Sequence, residues 1–281
     1  MSVFGTETRL MKILSIGNSF SVDCQRYLPA LLKNAGIDYY LGNMYIGGCS
    51  LETHYNNMTS DEPAYEYFVN NSSMGRCRIS TALADADWDI ITLQQASHFS
   101  GIPDTYLPYI ILLADHIRSV CPKTRIVINE TWAYEYNSTH SAFVNYDCSE
   151  AKMYRALSNA YESAAKKLGV PMIPTGKAVE TARRCPEFDP QNGGLALTRD
   201  GFHLSYVYGR YLAAAVWYEM LTGLDIRVNS FIPCDYEYTG RDNSTGSAKL
   251  KALEDTFADL SLIEILKETC HKVTQENSFA L

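Results

Sequence analysis

The stretch Lys12-Ile13-Leu14-Ser15-Ile16-Gly17-Asn18-Ser19-Phe20-Ser21 decides the fold. A short apolar run closed by a glycine and then by cap-forming polar residues is the pattern of a buried strand breaking into a helix-entry turn. Ser19 then stands at the strand's carboxyl end, the edge of an open α/β sheet where ligands bind. A turn that opens a helix also presents free backbone N–H groups to an anion. Taken alone, Gly17-Asn18-Ser19 is equally ordinary turn chemistry, so the rest of the chain has to decide between the two.

Working outward, residues 27–36 carry leucines at helical spacing with Gly36 as a stop, and Pro29 either opens this helix or kinks a longer one begun near Val22. Residues 39–46 predict a second strand, ending in Gly47-Gly48-Cys49-Ser50. Residues 51–80, rich in Asn, Tyr and Ser without a clean period, read as a surface excursion overhanging the site. A third strand is predicted over 88–93, ending in Gln94-Gln95-Ala96-Ser97-His98, a helix over 106–120, and a fourth strand over 125–129. A helix over 149–168 stops at Gly169, a fifth strand covers 170–174, a helix lies near 177–184, and an apolar helix over 204–221 closes at Gly223.

Strands alternating with helices at this spacing imply right-handed β-α-β units and therefore a three-layer α/β/α sandwich on a parallel sheet of five strands. No repeat and no linker precedes Gly223, so 1–281 reads as one domain with its core over 12–222 and an extension over 228–281. The extension reads as a loop through Tyr236, Tyr238 and Gly240, then a helix over 247–271. Its Leu250, Leu253, Phe257, Leu260, Ile263 and Leu266 recur every three or four positions and pack either on the sandwich or in a second subunit.

At 281 residues and 46% hydrophobic content the chain sustains a large core without a stabilising metal or disulfide. A net charge of -8 and the lack of any basic run argue against a nucleic-acid partner. The eight cysteines are scattered and form no Cys-x-x-Cys pair, which argues against zinc; reduced thiols are the expectation, with extracellular bridges the alternative that an even count leaves open. The first ten residues lack the apolar stretch of a signal peptide, and no run approaches the ~18 apolar residues of a membrane span, so the expectation is a cytoplasmic protein with no membrane partner, or a secreted one if a signal has been trimmed.

The second piece of chemistry is Asp200-Gly201-Phe202-His203. Residues three apart at a helical turn lie on one side, so the Asp200 carboxylate reaches one ring nitrogen of His203 and leaves the other free as a base. Were His203 at the start of the following helix, the helix dipole would also favour its neutral form. An Asp cap with a chance histidine behind it gives the same pattern. The order Ser19, Asp200, His203 on an α/β sheet matches a nucleophile, its orienting acid and its base.

With these residues the chain resembles the SGNH hydrolase superfamily, the GDSL-like esterases, over about 12–222. Gly17-Asn18-Ser19 is similar to the family's first block, with Asn where Gly-Asp-Ser members have Asp, and Asp200 and His203 match its last block. The resemblance implies a flavodoxin-like sandwich and a backbone N–H donated by Gly48, with Gly47 as the fallback. The third block departs from the family's asparagine. Leu93-Gln94-Gln95 is similar instead to carbohydrate acetylesterases with a glutamine there, and most of all to an uncharacterised bacterial group with a Leu-Gln motif. Gln94, or Gln95 one residue along, then supplies the side-chain amide.

The mechanism so implied has His203 take the Ser19 proton, Ser19 attack an ester carbonyl, and the N–H groups of Ser19 and Gly48 with the Gln94 amide hold the oxyanion, with no metal or cofactor. Trp132 and Tyr134, after the fourth strand, either form a platform for a sugar ring or pack beneath the next loop. His54 and His98 lie in site loops as assisting or merely solvated groups, and Cys49 reads as a small buried residue. The favoured substrate is a short acyl ester, acetyl above all, on a carbohydrate. A fold-sharing binding protein without turnover, and a thioester or lipid esterase, are the alternatives.

Overall fold

Ile13, Leu14 and Ile16 are fully buried, so β1 (Met11–Gly17) is apolar toward both faces, as a central strand of a parallel sheet requires. The computed structural model describes residues 10–241 and 248–277. At the end of β1 the Asn18 carboxamide oxygen accepts the Phe20 N–H at 3.1 Å and caps α1 (Ser19–Gln25). α2 (Leu28–Asn34) is a separate helix with Pro29 in its first turn, so Pro29 opens a helix and does not kink one. β2 (Tyr39–Tyr45) then pairs in parallel with β1.

Residues 51–80 do not wander over the surface. They form α3 (Leu51–Ser60), the strands β3 (Tyr65–Val69) and β4 (Ser72–Cys77), and the start of α4 (Ile79–Ala84). The pattern is hard to see because α3 buries only Leu51 and His54, and β4 is exposed as far as Arg76. One signal is present in Asn70-Asn71. Both residues take positive φ, 49° and 65°, the two-residue hairpin geometry that asparagine tolerates.

The chain continues through β5 (Ile90–Leu93), α5 (Tyr109–Val120), β6 (Arg125–Asn129), α6 (Glu150–Leu168), β7 (Met172–Ile173), α7 (Thr175–Ala182) and α8 (Tyr208–Thr222). Ser149 caps α6 and Gly169 ends it in the left-handed region. The sheet has seven strands in the order β4-β3-β2-β1-β5-β6-β7. The five expected strands are its parallel part, β2-β1-β5-β6-β7, and the β3-β4 hairpin adds two antiparallel strands at one edge, so the sheet is mixed.

From β1 the chain crosses to β2 on one side, and from β5 it proceeds to β6 and β7 on the other. Right-handed crossovers therefore place α1 and α2 on one face and α5 and α6 on the opposite face. α8 packs against α1, α2 and α7, while α3 packs against α5. The direction of winding reverses at β1, and the carboxyl end of such a switch strand is where an open sheet leaves a crevice. Ser19 follows that end.

The extension differs from its sequence reading. β8 (Cys234–Arg241) and β9 (Ala248–Phe257) form a separate antiparallel pair, and α9 (Leu260–Glu276) starts thirteen residues later than the 247 expected. Asp259 sets the start, its carboxylate accepting the Ser261 N–H at 2.8 Å. The apolar spacing runs on across that boundary by coincidence. Ile263, Leu266, Cys270 and Val273 are buried against α7 and α8 of the same chain, whereas Phe257 and Leu260 are exposed. No described helix is long and apolar enough to cross a membrane.

Glu130, directly after β6, is buried, and its carboxylate accepts the Lys177 N–H at 2.9 Å. Burial pushes its pKa up from 4.5 to about 7, with hydrogen bonds from Lys177 and Ser158 opposing only part of the rise. A folded value above the unfolded one means that the folded state binds the extra proton, so stability falls as pH rises from 4.5 through 7 and levels off above. Glu130→Gln removes this titration. Relative to the parent protein it should gain on the order of 3 kcal/mol more at pH 8 than at pH 5. Thermal unfolding at the two pH values checks this, and an equal shift at both would refute it.

Candidate active site

Ser19 is the first residue of α1 and His203 lies 184 positions further on, yet Ser19 Oγ and His203 Nε2 are 2.9 Å apart. On the other side of the ring, Nδ1 is 2.7 Å from Asp200 Oδ2. Burial alone would raise the Asp200 carboxyl, but hydrogen bonds from the His203 ring and from the N–H groups of His203 and Phe202 outweigh it and hold the group below the usual carboxylate range. An ionised Asp200 only accepts, so Nδ1 carries the imidazole proton and Nε2 is left as the acceptor facing Ser19. His203 does not sit at a helix start, since α8 begins only at Tyr208. Its tautomer follows from Asp200 and not from a helix dipole.

Two buried side chains hold the His203 segment against α1. Asp23, one turn after Ser19 on the same helix, accepts the Leu204 N–H at 3.0 Å, Arg210 Nε at 2.7 Å and Arg199 Nη1 at 3.1 Å. Trp132 stacks on Phe20 with ring centroids 4.1 Å apart and planes within 3°, and its Nε1–H donates to the Phe202 carbonyl at 2.7 Å. Trp132 is thus no sugar platform. It is fully buried, as is Tyr134, whose hydroxyl meets Ser97 Oγ at 3.0 Å. Both pack beneath the site because the loop after β6 folds under the Asp200–His203 segment, with the Glu135 N–H donating to the Gly201 carbonyl at 2.8 Å.

The Ser19 hydroxyl opens into a cleft of about 540 Å³ walled by Phe20, Gly48, His98, His140 and Phe202. Gly48 takes φ +64, and its N–H has no hydrogen-bond partner among the described residues. The Ser19 N–H belongs to the first turn of α1 and has no intrahelical acceptor. Two backbone donors therefore border the hydroxyl.

The structure does not bring Gln94 into the cleft. Its Nε2 donates to Asn18 Oδ1 at 2.9 Å and its Oε1 accepts from Asn129 Nδ2 at 3.0 Å, behind the turn. Gln95 is withdrawn as well, accepting the Leu51 and Ala96 N–H groups and donating to the Thr105 carbonyl. Both side chains are long enough to reach buried polar partners, which wins over projection into solvent.

His54 is also out of reach. It is buried in α3 with Nδ1 3.4 Å from Cys49 Sγ and 3.0 Å from the Tyr65 hydroxyl, and burial drives its pKa down to about 3. Burial raises the Cys49 thiol to about 12, which leaves it protonated and unreactive. His140 and Phe202 line the cleft without having been singled out by the sequence, and no period or motif marks the loop that carries His140. Among the described residues, Glu219, Asp225 and His271 alone group as metal-capable side chains. Their donor atoms are already engaged between α8 and α9, with His271 bonded to Glu219 at 2.7 Å and Arg227 gripping both Asp225 and His271 Nε2.

Comparison with known proteins bears on the family and the fold. The pattern of a family described as a domain of unknown function, DUF4886, matches residues 12–248. A DUF4886 family protein from Bacteroides uniformis ATCC 8492 has a crystal structure similar at a TM-score of 0.80, with 34% identity over 97% of this chain and 98% of that one. A candidate SGNH hydrolase from Slackia heliotrinireducens shares the fold at a TM-score of 0.51, with 22% identity over 76% of this chain and 100% of that one. No curated protein matches the chain.

The Asp23 contacts make a direct claim on stability and on the site together. Asp23→Ala leaves two guanidinium groups facing a buried space without their carboxylate, which should lower unfolding stability by about 3 kcal/mol. Denaturant unfolding measures this, and a loss under ~0.5 kcal/mol, the scale of an ordinary surface change, would show that the arginines find other partners.

Proposed function

The chain belongs to the DUF4886 family, and on that premise we propose that it is a serine esterase that removes short acyl groups, acetyl above all, from a carbohydrate. The observation that carries this reading is the unbroken line Asp200–His203–Ser19, opening on a cleft at the carboxyl edge of β1. In this mechanism the Ser19 proton passes to His203 Nε2 as Oγ bonds to the ester carbonyl carbon. The oxyanion formed takes the N–H groups of Ser19 and Gly48. Collapse breaks the bond to the alcohol, which leaves with the proton from His203, and water repeats the sequence to release the acid. Asp200 stays ionised throughout and stabilises the imidazolium.

The substrate class rests on the cleft walls. Among the described residues no Lys, Arg, Asp or Glu lines the cleft, which favours an uncharged ester over a phosphate-bearing thioester or lipid head group. Its imidazole and hydroxyl groups, with the rings of Tyr45 and Phe202, suit a polyhydroxy ring that needs both hydrogen bonds and an apolar face. The volume accommodates a sugar and a small acyl group better than a long chain. Binding without turnover is the second reading, favoured by the withdrawal of Gln94 from the cleft.

A chromogenic acetyl ester tested beside butyryl and octanoyl esters separates these readings. Acetyl should be hydrolysed fastest, and Ser19→Ala should lower kcat by roughly 10³ or more. A serine-directed phosphonate should label Ser19 and no other residue. Equal turnover in Ser19→Ala would exclude the serine mechanism, and an inert parent protein that still binds acetylated sugar would establish the binding reading.

A further inference from the structure

With both glutamines withdrawn, the oxyanion position lacks the side-chain donor that would complete it beside the N–H groups of Ser19 and Gly48. We propose that His98 is that donor, its ring N–H hydrogen-bonding the oxyanion next to Gly48; the proposal rests on the esterase reading of the cleft. His98 follows the carboxyl end of β5, in the 3-10 turn Ser97–Phe99, and so enters the site from the strand beside β1. A Cβ built on Gly48 would lie 3.9 Å from His98 Cε1, and no other heavy atom beyond the neighbouring residues comes within 4 Å of it. Cε1 sits between the two ring nitrogens, so the edge turned toward Gly48 is the one that carries both. Neither nitrogen has a hydrogen-bond partner among the described residues, although the ring lines the cleft.

Three other side-chain donors of the cleft have neighbours of their own. Ser97 Oγ shares its hydrogen bond with the buried Tyr134 hydroxyl. The Tyr45 hydroxyl lies against Gly47, 3.3 Å from the position of a Cβ there. His140 has its Nδ1 taken by the Ala142 N–H at 3.2 Å, and its ring packs on Phe202 next to the base. Burial, with His140 nearby, lowers the His98 pKa from its ordinary value, so at neutral pH the ring is uncharged and carries one N–H. A neutral imidazole donates to a developing oxyanion without surrendering its proton, so no proton transfer is added to the mechanism.

The test compares His98→Phe, which keeps a ring and drops the donor, with His98→Gln, which restores an amide N–H. Both are assayed on the chromogenic acetyl ester and by the rate of phosphonate labelling at Ser19. His98→Phe should lower kcat by roughly 10²–10³ with KM changed less than about threefold, and should slow labelling in parallel. His98→Gln should recover at least about tenfold of that loss, with both variants unfolding at the parent temperature. A normal kcat in His98→Phe overturns the proposal, as do equal losses in both variants accompanied by a lowered unfolding temperature, which would mean a packing role. Ser19→Ala and His203→Ala run alongside: if either keeps parental turnover, the esterase reading itself fails, whereas their loss with a normal His98→Phe removes His98 alone.

Discussion

The Asp23 carboxylate fixes where His203 can be. α1 has seven residues, and Ser19 and Asp23 are four apart on it, so the hydroxyl and the anchor lie on one side of one short helix. Among the described residues, the hydrogen bonds that the Asp23 carboxylate accepts come from 199–210, the segment that contains His203. Up to the start of α8 at Tyr208 that segment has no regular structure beyond one bridge between Thr198 and Leu204, and on its own it would sample many conformations. A buried carboxylate is tolerable only with strong donors around it, and the two arginines and the Leu204 N–H supply them. The same electrostatic demand that stabilises Asp23 therefore delivers the imidazole to the serine. Trp132 closes the arrangement from below, with its ring on Phe20 and its N–H on Phe202, the neighbours of Ser19 and His203.

Beneath the Ser19 turn runs a chain of buried amides. Asn18 bonds to the Cys49 carbonyl and to Gln94, Gln94 to Asn129, and Asn129 to Thr175 and Trp217. It ties the ends of β1, β5 and β6 to α7 and α8. Close approach is built in at Gly17, where a Cβ would lie 2.5 Å from Ser21 Oγ. Glutamine has the length to join this chain, and that explains why a residue at the right strand end is absent from the cleft.

Much of the fold was legible because its signals are local. β6 and α6 were read from an apolar run and from the Ser149 and Gly169 ends, each of which depends on a few adjacent residues. The β3-β4 hairpin and the β8-β9 pair were not, since a half-exposed strand and a polar helix leave little period, and Leu250, Leu253 and Phe257 imitate the helical spacing that truly begins at Leu260. In the site, the pairing of Asp200 with His203 could be read from a three-residue spacing, and the approach of Ser19 to them only from the order of the three residues and the family resemblance. The positions of Gln94, Trp132 and Tyr134 could not. Strand period tells which way a side chain leaves the backbone, and only tertiary packing decides whether it meets solvent or a buried partner. His140 and Phe202 carry no such local signal at all.

α8 is buried almost throughout and packs on α1, α2, α7 and α9, although it begins only at Tyr208. Ser19 is made 184 residues before His203, and the helix that follows His203 is made later still. Until those residues emerge, Ser19 stands on the nascent chain without its imidazole partner. The line Asp200–His203–Ser19 can therefore close only after the segment that leads into α8 has been made, and a chain interrupted before His203 lacks it.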